Sequence, residues 1–239
     1  MSGASPHILR FAGVTIEDEA HDYDVGLLDV SFELRPGELM MILLERPRFR
    51  TPIADAASGL VAPDAGKIHF AGRDWRHCSA TRASRQRAII GRVFQGRAWV
   101  SNLDVDENIL LLLRHHTSRP TRDIRAEAKA LALRFGLTEL PAIRPARATV
   151  EQLHRSACVR AFLGDPKLLL LERPEHGLYP QIMEPLIQSL DAARARGAAA
   201  VWMTNLPELF DDPPLRAASR LRMQGPALLP AESPSQEPK

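Results

Sequence analysis

Arg46, Arg48 and Arg50 alternate through a segment, 44–51, that holds no glycine. Guanidinium groups bind phosphates and carboxylates through paired N–H donors, and a helix that starts just after them presents a positive end. The segment therefore has the means to hold an isolated anion or a partner's carboxylate, against the plainer roles of solvated charges or of side chains that fill the space themselves. Pro47 removes one backbone donor, and Phe49 and the arginines are bulky. Thr51 opens the helical pattern, where a hydroxyl serves as a cap. Farther on, Glu172 ends a run of four leucines; a carboxylate there can reach a metal through water. Its neighbour Arg173 cannot act as a general base, because a guanidinium accepts no proton at neutral pH. Thr149-x-x-Gln152 has the spacing of a capping box. His115 and His116 are adjacent on a helix, so they point apart and read as a solvated face rather than a metal pair.

Composition bounds the class of protein these residues serve. The 239 residues are 45% hydrophobic and 25% charged, ordinary globular usage with length enough for a sizeable core. A net charge of +2 leaves no basic footprint for nucleic acid. Cys78 and Cys158 make neither a metal spacing nor a disulfide framework, which suits a reducing cytoplasm. Residues 1–7 lack the basic and apolar regions of a signal peptide, and no apolar run reaches the roughly 18 residues that span a bilayer. A role at a membrane requires another chain to supply the membrane part.

The elements that position these side chains follow from apolar periodicity. Segments 8–16 and 27–34 alternate as strands. Pro36-Gly37 turns the chain into a buried strand at 38–44, and a helix at 51–59 follows with Pro52 in its first turn. Strands are expected at 67–70 and 88–94. The middle changes character: 104–116, 121–135 and 151–163 read as helices with no strand between them. Strand patterns return at 167–171 and 198–204 around a helix at 181–196, and a last strand at 220–223 closes the domain. From Pro226 the chain is rich in Pro, Ser and Glu and reads as disordered. The pattern is an α/β core with a helical insert.

Four segments resemble the ABC ATPase family, in its order and at its spacings: LLDVSFELRPGELMMIL, ASGLVAPDAGKIHFAGRDW, VFQGRAWVSNLDVDENI and GDPKLLLLERPEHGLYP. The resemblance covers about 8–225. It implies an α/β fold of the P-loop NTPase (RecA-like) type, with N-terminal antiparallel strands, an ATPase core at 1–95 and 157–225, a helical subdomain at 96–156 and a tail at 226–239. Set against the family's G-x-x-x-x-G-K-[ST] phosphate loop, Leu44 and Phe49 stand at the glycines, Arg50 at the lysine and Thr51 at the Ser/Thr. Glu172 and Arg173 take the places of the Walker B aspartate and the general-base glutamate, Asn205 that of the switch histidine and Tyr179 that of the D-loop aspartate. The signature motif corresponds to Ala148-Thr149-Val150-Glu151-Gln152, where Val150 and Glu151 oppose approach of a phosphate. Gln95 matches the Q-loop glutamine, which in the family contacts metal. Tyr23, or His21, stands near the aromatic that stacks on adenine.

Fold-bearing apolar runs are kept while chemistry-bearing positions have changed. The resemblance therefore implies a subunit with degenerate Walker, signature and switch motifs, a structural or regulatory pseudo-ATPase. It would require no cofactor; if ATP and Mg²⁺ bind at all, Tyr23, Arg50, Thr51, Gln95 and Glu172 would hold them, with Thr51 and Gln95 on the metal. Its expected partners are a membrane permease and an ABC ATPase, as a homodimer or beside an intact subunit. It would lie on the cytoplasmic face of the plasma membrane, docked on the permease through Gln95, Trp99, Val100 and Leu103. Two other readings stand beside it: a divergent ATPase that binds and slowly hydrolyses ATP, and an interaction module no longer in a transporter.

Overall fold

The computed structural model describes residues 7–17, 23–46, 49–96 and 98–231. Strands β1 (Leu9–Ile16) and β2 (Leu27–Leu34) come first, each with one buried face from its apolar alternation. The apolar run β3 (Leu39–Leu43) follows, then the short helix α1 (Ile53–Ala57). Next come β4 (Ala65–Phe70), β5 (Arg73–Asp74), helix α2 (Ala80–Arg87) and β6 (Ile90–Val93). Helices α3 (Val105–His116), α4 (Thr121–Arg134) and α5 (Val150–Phe162) are consecutive. The described residues close with β7 (Leu168–Glu172), α6 (Met183–Ala195), β8 (Ala199–Thr204), α7 (Pro207–Phe210), β9 (Ser219–Gln224) and β10 (Ala227–Pro230).

A six-stranded sheet of order β10-β9-β3-β8-β7-β6 forms the centre. Its neighbours from β9 to β6 are parallel, and β10 adds antiparallel. Parallel strands buried on both faces need near-continuous apolar runs, which β3, β7 and β8 supply. Alternation sends Leu39, Met41, Leu169, Leu171, Ala200 and Trp202 into a core shared with α3, α4, α5 and α6. Met40, Ile42, Leu168, Leu170, Ala199 and Val201 point the other way, onto α1 and the antiparallel sheet β2-β1-β4-β5. Gly91 lets α5 cross β6 closely, since a Cβ there would collide with the Ala161 carbonyl.

Several expectations change. The stretch from Pro226 is not wholly without structure: Ala227–Pro230 pairs with β9, because its apolar residues find a sheet edge to extend; residues 232–239 lie outside the described ones. Helix α5 runs unbroken through 156/157, so the expected domain boundary falls inside a helix that serves both the insert and the sheet. The helix expected at 51–59 is five residues long, with Pro52 as its N-cap and Thr51 outside it. The rings of His115 and His116 do not point apart; they meet edge to face with centroids 4.7 Å apart, at the end of α3. No group of three or more metal-ligating side chains occurs among the described residues.

Candidate functional site

In an open α/β sheet, ligands are taken at the carboxyl ends of the parallel strands. Here those ends include Leu43, Val93, Glu172 and Thr204, and the segments leaving these four carry most of the residues singled out above.

The segment after β3 turns its bulk inward. Leu44 is buried and donates its N–H to the Thr204 carbonyl at 2.8 Å. Phe49 is 2% exposed and packs into the core beneath the antiparallel sheet. Arg46 lies outside it, its Cζ 5.3 Å from the Phe49 ring centroid. Arg50 is exposed, but its backbone is fixed: its N–H donates to Asp24 Oδ2 at 2.7 Å, and its carbonyl accepts from the Asp24 N–H at 2.9 Å. Thr51 Oγ1 accepts from the Ile53 N–H at 3.3 Å, the local bond of a helix start. Pro47, Arg48 and His21 lie outside the described residues.

Tyr23 sits across from this loop with Arg50 Cζ 5.9 Å from its ring centroid. Its hydroxyl donates to Asp55 Oδ2 at 2.6 Å, and burial, reinforced by the Asp55 carboxylate, pushes the phenol well above its ordinary range. The other Asp55 oxygen accepts from Arg92 Nη1 at 2.7 Å. From the same guanidinium, Nε donates to Glu172 Oε1 at 2.6 Å. Burial raises the Glu172 carboxyl above the usual range, with Arg92 opposing the rise. Tyr23, Asp55, Arg92 and Glu172 thus form one part-buried chain of hydrogen bonds from the segment before β2 to the end of β7. Sequence reasoning missed Arg92 and Asp55. The signal for Arg92 was legible: a charge inside the apolar strand run at 88–94 must be paired if it is buried.

Arg173 is 6% exposed, with backbone φ of 52°. Its N–H donates to the Met203 carbonyl at 2.9 Å, and Nη2 meets His176 Nδ1 at 2.9 Å. Two residues on, Glu175 is 1% exposed and accepts from Trp202 Nε1 at 3.0 Å and Thr204 Oγ1 at 2.6 Å. Burial raises its carboxyl too. Asn205 is half-buried just past β8, and Tyr179 is exposed.

The expected signature stretch is a helix start. Thr149 Oγ1 accepts from the Gln152 N–H at 3.1 Å while Gln152 Oε1 accepts from the Thr149 N–H at 2.9 Å, the reciprocal capping box. Val150 is 85% exposed, and Glu151 pairs with Arg155 at 2.8 Å. Behind it, His154 Nε2 donates to the Pro174 carbonyl at 2.6 Å, and burial lowers its pKa, keeping the ring neutral.

Gln95, Trp99, Ala148, Val150, Glu172 and Arg173 line one cleft of about 560 Å³ between the helical insert and the sheet edge. On the neighbouring side a mostly apolar groove of about 280 Å³ is walled by Leu60, Phe94, Val100, Leu111, Leu112 and Arg160. Leu103 is half-buried, its carbonyl accepting from Asn108 Nδ2 at 3.2 Å. The structure brings Tyr23, Arg50, Thr51, Gln95 and Glu172 to one end of the sheet, and places Val100 at the groove and Trp99 in the cleft.

A family model described as ABC transporter matches residues 27–175. The sulfate/thiosulfate import ATP-binding protein CysA of Mesorhizobium japonicum is 33% identical over 184 residues, covering 75% of this chain and 52% of that protein. The lipoprotein-releasing system ATP-binding protein LolD of Gluconobacter oxydans is 30% identical over 211 residues, covering 87% of this chain and 90% of that one. The chain spans about half the length of the sulfate-import relatives it matches. Among solved structures, a dimeric bacterial ABC transporter cassette superposes with a TM-score of 0.78 at 18% identity, over 92% of this chain and 96% of that one. This chain belongs to the ABC transporter ATP-binding family, and its fold is that of the family's ATPase cassettes.

Proposed function

We propose that this member of the ABC family is a pseudo-ATPase: a cassette that serves a transporter as a structural or regulatory subunit without hydrolysing ATP. The observation that carries the reading is Phe49, 2% exposed and locked into the core at the place of a phosphate-loop glycine. A phosphate loop works by wrapping backbone N–H groups around the anion, and a loop anchored by an inward phenylalanine is not free to wrap. The residues do not fit a magnesium nucleotide in other respects either. Thr51 Oγ1 accepts from the Ile53 N–H, the Glu172 carboxylate is taken by Arg92, and a buried guanidinium stands where a base would orient water.

Partners follow from the same reading. In a transporter of this family the chain would sit on the cytoplasmic face of a permease that supplies the transmembrane path; no helix among the described residues is long and apolar enough to cross a membrane. The apolar groove beside Trp99 and Val100 is the surface offered to a short permease helix. A second cassette, identical or catalytically intact, completes the dimer. The test is the purified chain with Mg-ATP: neither saturable binding nor Mg²⁺-dependent phosphate release is expected, and either one returns the chain to the working ATPases.

A further inference from the structure

Arg92 is the least expected residue of the site and the most connected. It lies in the middle of β6 with its side chain 8% exposed. One nitrogen reaches Asp55 on α1 at 2.7 Å and another reaches Glu172 at the end of β7 at 2.6 Å, while its Cζ lies 4.2 Å from the Phe94 ring centroid. Two carboxylates brought to one guanidinium, with side chains 24% and 12% exposed, repel one another unless a cation joins them. In oxygen-lined sites that cation is commonly a divalent metal. Here the chain supplies it. Tyr23 fills a further acceptor position on Asp55.

We propose that Arg92 is a built-in cation that takes the electrostatic place of a divalent metal, joining α1, β6 and β7 so that this end of the sheet holds its shape without metal or nucleotide. The proposal rests on the pseudo-ATPase reading, since a site that cycled magnesium could not keep a fixed cation at its carboxylates. It also makes the charge at Arg92 more important than its bulk. Take the charge away and the carboxylate pair becomes a vacant divalent-cation site; take all three charges away and the packing suffices.

The experiment is thermal unfolding of the full chain and of Arg92→Met, with EDTA or with millimolar MgCl₂ or MnCl₂ at matched ionic strength. The wild type is expected to melt at the same temperature in all three. Arg92→Met is expected to melt lower in EDTA and to regain about 3 °C or more with divalent cation, a gain abolished by adding Glu172→Gln. A folded Arg92→Met that ignores divalent cations overturns the proposal, as does a wild type that they stabilise equally. Should Arg92→Met not fold, the variant Asp55→Asn/Arg92→Met/Glu172→Gln decides: near-wild-type folding supports a role in charge, and failure assigns Arg92 to packing and overturns it. Stabilisation of the wild type by Mg-ATP but not by Mg²⁺ alone would count against the pseudo-ATPase reading and leave the role of Arg92 to these variants.

Discussion

The Arg160 guanidinium carbon lies 4.4 Å from the Trp99 ring centroid, clamping the segment after β6 onto α5. Arg160 Nη1 also donates to the Ala98 carbonyl at 2.6 Å, and the same guanidinium lies 5.5 Å from the Phe94 ring. Burial brings its pKa down to about 10, so it remains a cation at neutral pH. Trp99 is therefore a half-buried brace between insert and core, with exposed Val100 beside it on the groove.

That arrangement gives Trp99→Ala two readouts. Loss of the ring and its cation contact is expected to cost about 2 kcal/mol in denaturant unfolding while the chain stays folded. If the groove receives a permease helix, loss of an aromatic anchor also weakens the complex about 30-fold, the equivalent of about 2 kcal/mol. Affinity for the native membrane complex unchanged in the folded variant contradicts the docking surface.

Phe49→Gly restores a glycine to the loop, yet it is expected to destabilise. Deleting a fully buried ring costs about 3–5 kcal/mol, to be read as a lowered urea midpoint. No nucleotide-dependent shift accompanies it, because Arg173 and the Arg92 pair stay in place. A variant as stable as the wild type would show that Phe49 is not an anchor.

The two buried glutamates set a pH dependence whose sign is opposite to that of a surface ion pair. Burial raises the Glu175 and Glu172 carboxyls above the ordinary 4.5, so the folded state keeps protons that the unfolded chain releases. Stability contributed by these groups is complete below about pH 4.5 and is lost as pH rises through the raised values. Asp165, whose carboxyl is lowered chiefly by its hydrogen bond from Lys167, acts the other way: its contribution is present above the ordinary value and lost in acid. Glu175→Gln removes one buried charge. Its stability relative to the wild type is expected to improve as pH goes from 4.5 towards 8, with a slope of at most about 1.4 kcal/mol per pH unit. A constant difference across that range contradicts the buried-charge account.

Much of the fold was legible because its central strands are unbroken apolar runs: Leu168 to Leu171 and Ala199 to Met203 admit few other places than a parallel sheet interior. The three insert helices were equally plain from their periodicity. Shorter elements escaped, β5 and β10 because two- and four-residue strands carry little pattern, and α2 because its face is almost wholly polar. At the site, the family resemblance pointed to Arg50, Gln95 and Glu172, but it could not reveal what Glu172 touches. Arg92 precedes it by 80 residues, and only adjacency of β6 and β7 brings the two charges together. The inward turn of Phe49 was hidden for a similar reason: the space it fills belongs to another sheet.

Isothermal titration of the purified wild-type chain with Mg-ATP, followed by a phosphate-release assay on the same preparation, tests the central claim most directly. The account predicts no saturable heat at millimolar nucleotide and no Mg²⁺-dependent release above background. Saturable binding of about one nucleotide per chain, with turnover that disappears in Thr51→Ala, would contradict it.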